Sequence, residues 1–190
     1  MTRTFIALEM NEDLQRHLNG VIRQVAQVLP DVRWVNAMGV HLTLAFLGEL
    51  DDEQLASAEQ AAETVAQRHH PFSYSLSHLG VFGSQRAPRV IWMGIDEPTG
   101  ALIAVHRALQ QELIQHGFEV DSRPFSPHLT LARVKSPLKT DEQQQLQRLL
   151  SKEQANASKQ YTAHALHVVK SELLRSGAHY TVLHEYKFPR

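Results

Sequence analysis

His41-Leu42-Thr43-Leu44 stands inside VHLTLAFLGEL, and the same four residues return as His128-Leu129-Thr130-Leu131 inside RPFSPHLTLARV. Both copies sit in apolar, β-prone surroundings, so each is read as a strand. Side chains alternate across a strand. His41 and Thr43 therefore face one way, Leu42 and Leu44 the other, and the same holds for His128 and Thr130 against Leu129 and Leu131. A single H-x-T-x on the wet face of a half-buried strand is unremarkable. Two identical copies 87 positions apart suggest two matched strands feeding one cavity with two imidazoles and two hydroxyls. Such a set suits a phosphoryl group. The hydroxyls can donate to non-bridging oxygens, one neutral imidazole can take a proton, and one imidazolium can give one. Acid and base together would need no metal.

Outward from these strands, the chain alternates short strands and helices. Thr4 to Leu8 reads as a strand, and Asn11 as the cap of a helix running toward Pro30. Arg33 to Val35 is a short strand, and His41 to Leu47 a strand ended by Gly48. Asp51 or Asp52 opens a second helix. Phe72 to Phe82 and Val90 to Ile95 are strands joined across Gly83 to Pro88. A third helix spans Pro98 to His116, stopped by Gly117. After the His128 to Val134 strand, Thr140 caps a helix to Leu150. Tyr161 to Leu174 and Tyr180 to Tyr186 are strands joined across Ser176-Gly177. No Pro- or Ser-rich linker divides the chain. The expected class is α+β, two sheets facing each other in one unit.

The 190 residues suit one domain made of two similar lobes, residues 1–190. The formal charge of −1 argues against a broad nucleic-acid footprint, though contact with one end of a nucleic acid remains compatible. From Ser151 to Arg190 six Lys/Arg face three Glu, giving +3 there and −4 elsewhere. With no cysteine, thiolate nucleophiles, disulfides and Cys-based zinc sites are excluded. The N-terminal apolar run is too short for a signal peptide, and no stretch reaches membrane-helix length, so a cytoplasmic protein is expected.

At these residues the sequence resembles the 2H phosphoesterase superfamily, marked by two His-apolar-Thr/Ser-apolar motifs. More narrowly it is similar to RNA 2′,3′-cyclic phosphodiesterases, also called 2′-5′ RNA ligases. RTFIAL, HLTLAFLGEL, VFGSQRAPRVIWMG, RPFSPHLTLARV and the segment at Ser171-Glu172-Leu173-Leu174 follow that family's order. The resemblance implies a bilobal, pseudo-twofold α+β fold with two antiparallel sheets facing a central cleft and helices outside. It implies metal-independent hydrolysis of RNA 2′,3′-cyclic phosphate ends to 2′-phosphates, with 2′-5′ ligation as the reverse. Carried over, His41 is the proton donor, His128 the proton acceptor, and Thr43 and Thr130 hold the phosphate. No cofactor, metal, membrane or protein partner is implied. The partners are RNA 3′ ends or small cyclic nucleotides, and the protein is expected as a monomer.

Phe46 is a candidate for stacking on a nucleobase. Strict alternation turns it toward the core with Leu44, so a bulge would be needed to bring it to the site. Arg123, in the loop before the second motif, is a candidate phosphate contact. By the same alternation Arg133 faces away from His128, which favours a structural or surface role. Trp34 and Trp92 read as core, and the remaining histidines as surface or satisfied residues. Three other readings stay open, one of them a His-based metalloprotein that a chelator would inactivate. A phosphodiesterase could act on a small cyclic nucleotide or a 2′-5′ oligonucleotide. A non-catalytic module could use the histidines only as contacts to an RNA end or nucleotide.

Overall fold

In a computed structural model, which describes residues 1–84, 86–151, 159–174 and 177–190, the chain forms nine strands and four helices. The elements run β1 (Thr2–Leu8), α1 (Glu12–Ala26), β2 (Arg33–Trp34), β3 (Leu42–Leu50), α2 (Asp52–Gln67), β4 (Phe72–Ser84), β5 (Ala87–Asp96) and α3 (Ala101–Gln115). They continue as β6 (His128–Arg133), α4 (Thr140–Leu150), β7 (Gln160–Ala163), β8 (Ala165–Leu174) and β9 (Gly177–Lys187). Two antiparallel sheets result: β3-β1-β8-β9, and β2-β6-β5-β4-β7. They share a plan. The strand carrying HLTL pairs with a second strand (β1 or β5), which pairs with a third (β8 or β4).

Local chemistry sets the helix ends. The Asn11 carboxamide accepts from the Leu14 N–H at 2.9 Å, and Asp51 accepts from Gln54 at 2.8 Å while Gln54 returns to the Asp51 N–H at 3.0 Å. Gly117, at φ 81°, ends α3 in the left-handed region. Two ends differ from the sequence expectation. α3 starts at Ala101 rather than Pro98, because the Glu97 carboxylate takes the N–H groups of Thr99 and Leu102 and forms a turn there first. α4 is preceded by Lys139, whose N–H is held by Glu142 at 2.8 Å, so Thr140 is the first helical residue and not the cap.

The Tyr161–Leu174 stretch is the larger difference. It is two strands in two sheets: β7 pairs with β4, β8 with β1, and the chain crosses at His164, whose carbonyl accepts from Phe188 at 2.7 Å. β3 also continues past Gly48, which sits within it at φ 76°. The turns expected at 83–88 and 176–177 include Gln85 and Ser176, which lie outside the described residues.

The main core draws on both sheets and all four helices, for example Ile6, Leu18, Leu42, Val65, Ile91, Leu109, Leu129 and Leu146. Phe5, Ala7 and Val169 form a separate apolar cluster with Tyr180 against it. On β1, Ile6 and Leu8 enter the main core while Phe5 and Ala7 belong to the separate cluster. The first sheet is thus two-sided, and its second face is the one that Thr43 joins, directly opposite Ala7.

Candidate active site

Each motif histidine is held in the same way. His41 Nδ1 lies 2.9 Å from the Gly39 carbonyl, and His128 Nδ1 lies 2.8 Å from the Ser126 carbonyl. A carbonyl can only accept, so both Nδ1 atoms carry the proton and both Nε2 atoms are left for chemistry. An imidazole so fixed takes a proton at Nε2 when neutral and gives one there when charged. The carbonyl two residues back supplies the fixing: Gly39 ends the short 3-10 helix Ala37–Gly39, and Ser126 lies in the irregular segment just before β6.

Each ring also has two aromatic walls. Phe5 stacks on His41 with centroids 4.4 Å apart, and Tyr180 meets it edge-on at 4.6 Å. Phe82 meets His128 edge-on at 4.7 Å, with Trp92 at 6.2 Å. Trp92 itself lies flat over Gly80, where a Cβ would come within 2.2 Å of the indole, so only glycine fits there. Trp92 is thus a wall of the site rather than core, unlike the sequence reading, while Trp34 packs against the main core as expected.

Thr43 and Thr130 are half-buried, and among the described residues neither hydroxyl has a protein hydrogen-bond partner. Thr43 stands opposite Ala7 and Thr130 opposite Trp92. Both hydroxyls are therefore open to an acceptor on the same face as their histidine.

The two strands share a defect that alternation does not anticipate. On β3 the pairing runs Ala7 with Thr43, then Ile6 with Ala45, skipping Leu44. On β6 it runs Trp92 with Thr130, then Ile91 with Ala132, skipping Leu131. Each skipped leucine is an extra residue that shifts the following side chains by one face. Ala45 and Ala132 are consequently buried opposite Ile6 and Ile91. The next residues, Phe46 and Arg133, come out on the face of the histidines. Phe46 pairs directly with Phe5, the residue stacked on His41. It is 55% exposed, with the Arg3 guanidinium 4.9 Å from its ring centre. Arg133 is exposed, and its charge reaches His41. The bulge therefore corrects the expectation that Arg133 faces away, and supplies the turn that Phe46 required.

Burial holds the pKa of His41 below the ordinary histidine value of 6.5, opposed by the bond to Gly39 and reinforced by the positive charge of Arg133. That last influence ties the two motifs together, because a residue from the second HLTL strand acts on the histidine of the first. Arg123 is engaged elsewhere. It is exposed and forks onto Asp121 at 2.5 to 3.0 Å, which pulls that carboxylate down to about 2. No contact among the described residues brings Arg123 to either histidine. A cavity of about 590 Å³ beside Tyr74 and the start of α3 contains none of the motif residues. Among the described residues no three His, Asp or Glu side chains gather as a metal site, and no helix is long and apolar enough to cross a membrane.

The sequence reading missed Phe5, Tyr180, Phe82 and the two fixing carbonyls. The walls come from other strands of the sheets, so no spacing near HLTL could have announced them.

A model of the 2′-5′ RNA ligase superfamily matches residues 12–174. The chain is 36% identical over 129 residues to an RNA 2′,3′-cyclic phosphodiesterase of Geobacillus stearothermophilus, covering 68% of this chain and 41% of that one. It thus spans well under two thirds of that relative's length. A Thermotoga maritima protein of the same name is 33% identical over 133 residues, 70% of each chain. The crystal structure of E. coli LigT complexed with 3′-AMP is 27% identical and superposes with a TM-score of 0.78, covering 100% of this chain and 99% of that one.

Proposed function

The chain belongs to the 2′-5′ RNA ligase superfamily, and from that premise we propose that it hydrolyses RNA 2′,3′-cyclic phosphate ends to 2′-phosphates, with His41 and His128 as acid and base. The observation that carries this reading is the repeated clamp. Two imidazoles, each tied at Nδ1 to the carbonyl two residues back, each beside a threonine hydroxyl that has no hydrogen-bond partner among the described residues, suit a matched proton-transfer pair. The relatives' names supply the substrate.

In the proposed reaction the phosphoryl oxygens rest on the Thr43 and Thr130 hydroxyls and on Arg133. His128 Nε2 removes a proton from a water molecule as its oxygen attacks phosphorus. The bond from phosphorus to the 3′-oxygen breaks, and His41 Nε2–H protonates that oxygen. One water is consumed, and a 2′-phosphate and a 3′-hydroxyl result. His128 ends charged and His41 neutral, and exchange with solvent resets them. With the 5′-hydroxyl of a second RNA in place of water, His128 would take that hydroxyl's proton as its oxygen attacks phosphorus, His41 would protonate the departing 3′-oxygen, and a 2′-5′ linkage and a 3′-hydroxyl would result. The single-domain, two-lobed organisation and the base-stacking role of Phe46 belong to the same proposal.

In the free protein burial and Arg133 both disfavour the charged form of His41, against the bond to Gly39, and hold its pKa below the ordinary value. The substrate resolves this. Its phosphate anion offsets the Arg133 charge and favours the imidazolium, so binding draws a proton onto His41.

The test is a short RNA ending in a 2′,3′-cyclic phosphate, incubated with EDTA and followed by phosphorus NMR. Wild type should yield a 2′-phosphate. His41→Ala and His128→Ala should each slow turnover by roughly 10²–10⁴-fold, the usual worth of a general acid or base. Full activity in either variant, or a 3′-phosphate product, would sink the two-histidine mechanism.

A further inference from the structure

We propose that His106, on α3, is a positioning residue for the base of the reaction: by stacking on Phe125 it sets the place of the Ser126 carbonyl that holds His128 Nδ1. The inference rests on the reading above. It begins from a difference between the two clamps. The Gly39 carbonyl belongs to a turn that is bonded on both sides of it. The Gly39 N–H donates to the Asn36 carbonyl at 2.8 Å, and the Val40 N–H donates to the Ala37 carbonyl at 3.2 Å. The Asn36 side chain also accepts from the Met38 N–H at 3.0 Å. The Ser126 carbonyl stands outside any such turn, since residues 118–127 form neither helix nor strand.

The sequence explains the contrast. The segment before the second motif reads Pro124-Phe125-Ser126-Pro127. Its two prolines have no N–H to donate, and each fixes its own φ near about −65°. Pro127 also pushes Ser126 toward extended backbone. The tetrapeptide is thus stiff but poor in backbone bonds, so its place follows the side chain that anchors it. That side chain is Phe125, which packs against the main core. His106 covers the Phe125 ring, with centroids 3.8 Å apart and planes 6° from parallel. The two rings are therefore in face-to-face contact.

His106 is itself held by its helix. It is half-buried beside the stripe of Leu102, Val105, Leu109 and Leu113 that enters the core. One turn on, the Gln110 amide nitrogen lies 3.4 Å from His106 Nε2. An amide nitrogen only donates, so His106 accepts there. Burial, and then the charge of Arg107, hold the His106 pKa below its ordinary 6.5, which favours the uncharged ring that such acceptance requires. A rigid helix thus reaches His128 through two rings and one carbonyl, where the first clamp uses a turn. No contact among the described residues brings His106 to either motif histidine, so it acts through Phe125 and Ser126.

The experiment pairs kinetics on an RNA with a 2′,3′-cyclic phosphate end with nitrogen NMR of the labelled protein in mildly alkaline buffer, which reads the tautomer of each motif histidine. In wild type both should be the Nδ1–H form. His106→Ala should lower kcat by roughly ten- to 10²-fold, the scale of an ~1 Å misplacement, with KM changed by less than about twofold. It should also bring in the Nε2–H form at His128 and leave His41 as it was. Phe125→Leu keeps an apolar group against the core and should do the same, and the double variant should be little worse than either single one. His106→Phe keeps the stack and should restore both readouts. Thermal melts confirm that each variant is folded. A His106→Ala variant that keeps either its kcat or its His128 tautomer, or a His106→Phe variant no better than it, would overturn the positioning role. No turnover by wild type would overturn the hydrolase reading instead, and the tautomers would still show whether the stack places His128.

Discussion

His41 and His128 occupy the same place on two copies of one strand, yet the two copies end differently. Both share the fixing carbonyl, the threonine two residues on and the bulge at the second leucine. The residue that the bulge returns to the active face is Phe46 in one copy and Arg133 in the other. The strands also differ in position. β3 is an edge of its sheet, whereas β6 lies inside its own, flanked by β2. The first copy therefore presents an exposed ring beside a half-buried histidine whose pKa is held below its ordinary value. The second presents a guanidinium. In the proposed function the symmetric part of the plan handles protons, and the asymmetric sixth residue serves the two ends of a substrate, a ring for a base and a cation for phosphate.

That contrast can be broken most severely at Arg133. Arg133→Gln should lower kcat/KM by roughly 10²–10³-fold, the scale seen when one preorganised charge stabiliser is removed. It should also raise the His41 pKa, measurable by NMR titration of the imidazole. A variant with unchanged kcat/KM would remove Arg133 from the phosphate site. At the other strand, Phe46→Ala should cost about 1 kcal/mol of substrate binding, near the lower bound for a base stacked on an aromatic ring. The loss should appear in KM rather than kcat, and an equal loss on ribose cyclic phosphate lacking a base would refute the stacking role.

The smallest effect sharpens the difference in burial. The unfolded chain holds His41 at its ordinary pKa of 6.5, and the folded chain holds it lower. As pH falls through 6.5 toward the folded value, the unfolded state takes up the proton first. Stability from this group is therefore complete above 6.5 and is lost as pH falls below it. Melting temperatures at about pH 7.5 and about pH 5.5 should differ less in His41→Gln than in wild type. An identical drop in both would show that His41 is not the group responsible.

Much of this was readable in the sequence because it is local. Asn11, Asp51 and Gly117 set helix ends by contacts within a few residues, and HLTL gave its facing by simple alternation. What was hidden depends on strand pairing. Whether Leu44 and Leu131 are bulged is decided by the partner strands β1 and β5, so the facing of Phe46 and Arg133 could not be read from β3 and β6 alone. The aromatic walls have the same origin, since Phe5 and Tyr180 reach His41 from strands at opposite ends of the chain. The split of Tyr161–Leu174 at His164 escaped because both halves are equally apolar and β-prone. Only their partners, β4 and β1, separate them.

The sheet around His41 has a further consequence for how the protein comes into being. β1 pairs with β8, and β8 with β9, so the first seven-residue strand waits for partners more than 150 residues later. Contacts so distant in sequence form slowly, since the chain entropy of closing the loop must be met first. The second sheet needs no strand before Arg33 and none after Ala163. On a ribosome, every strand of the His128 sheet is made before β8 and β9, while the His41 sheet still lacks its centre. Tyr180 closes over His41 only when β9 has been made, so the pair of histidines becomes a pair late in synthesis.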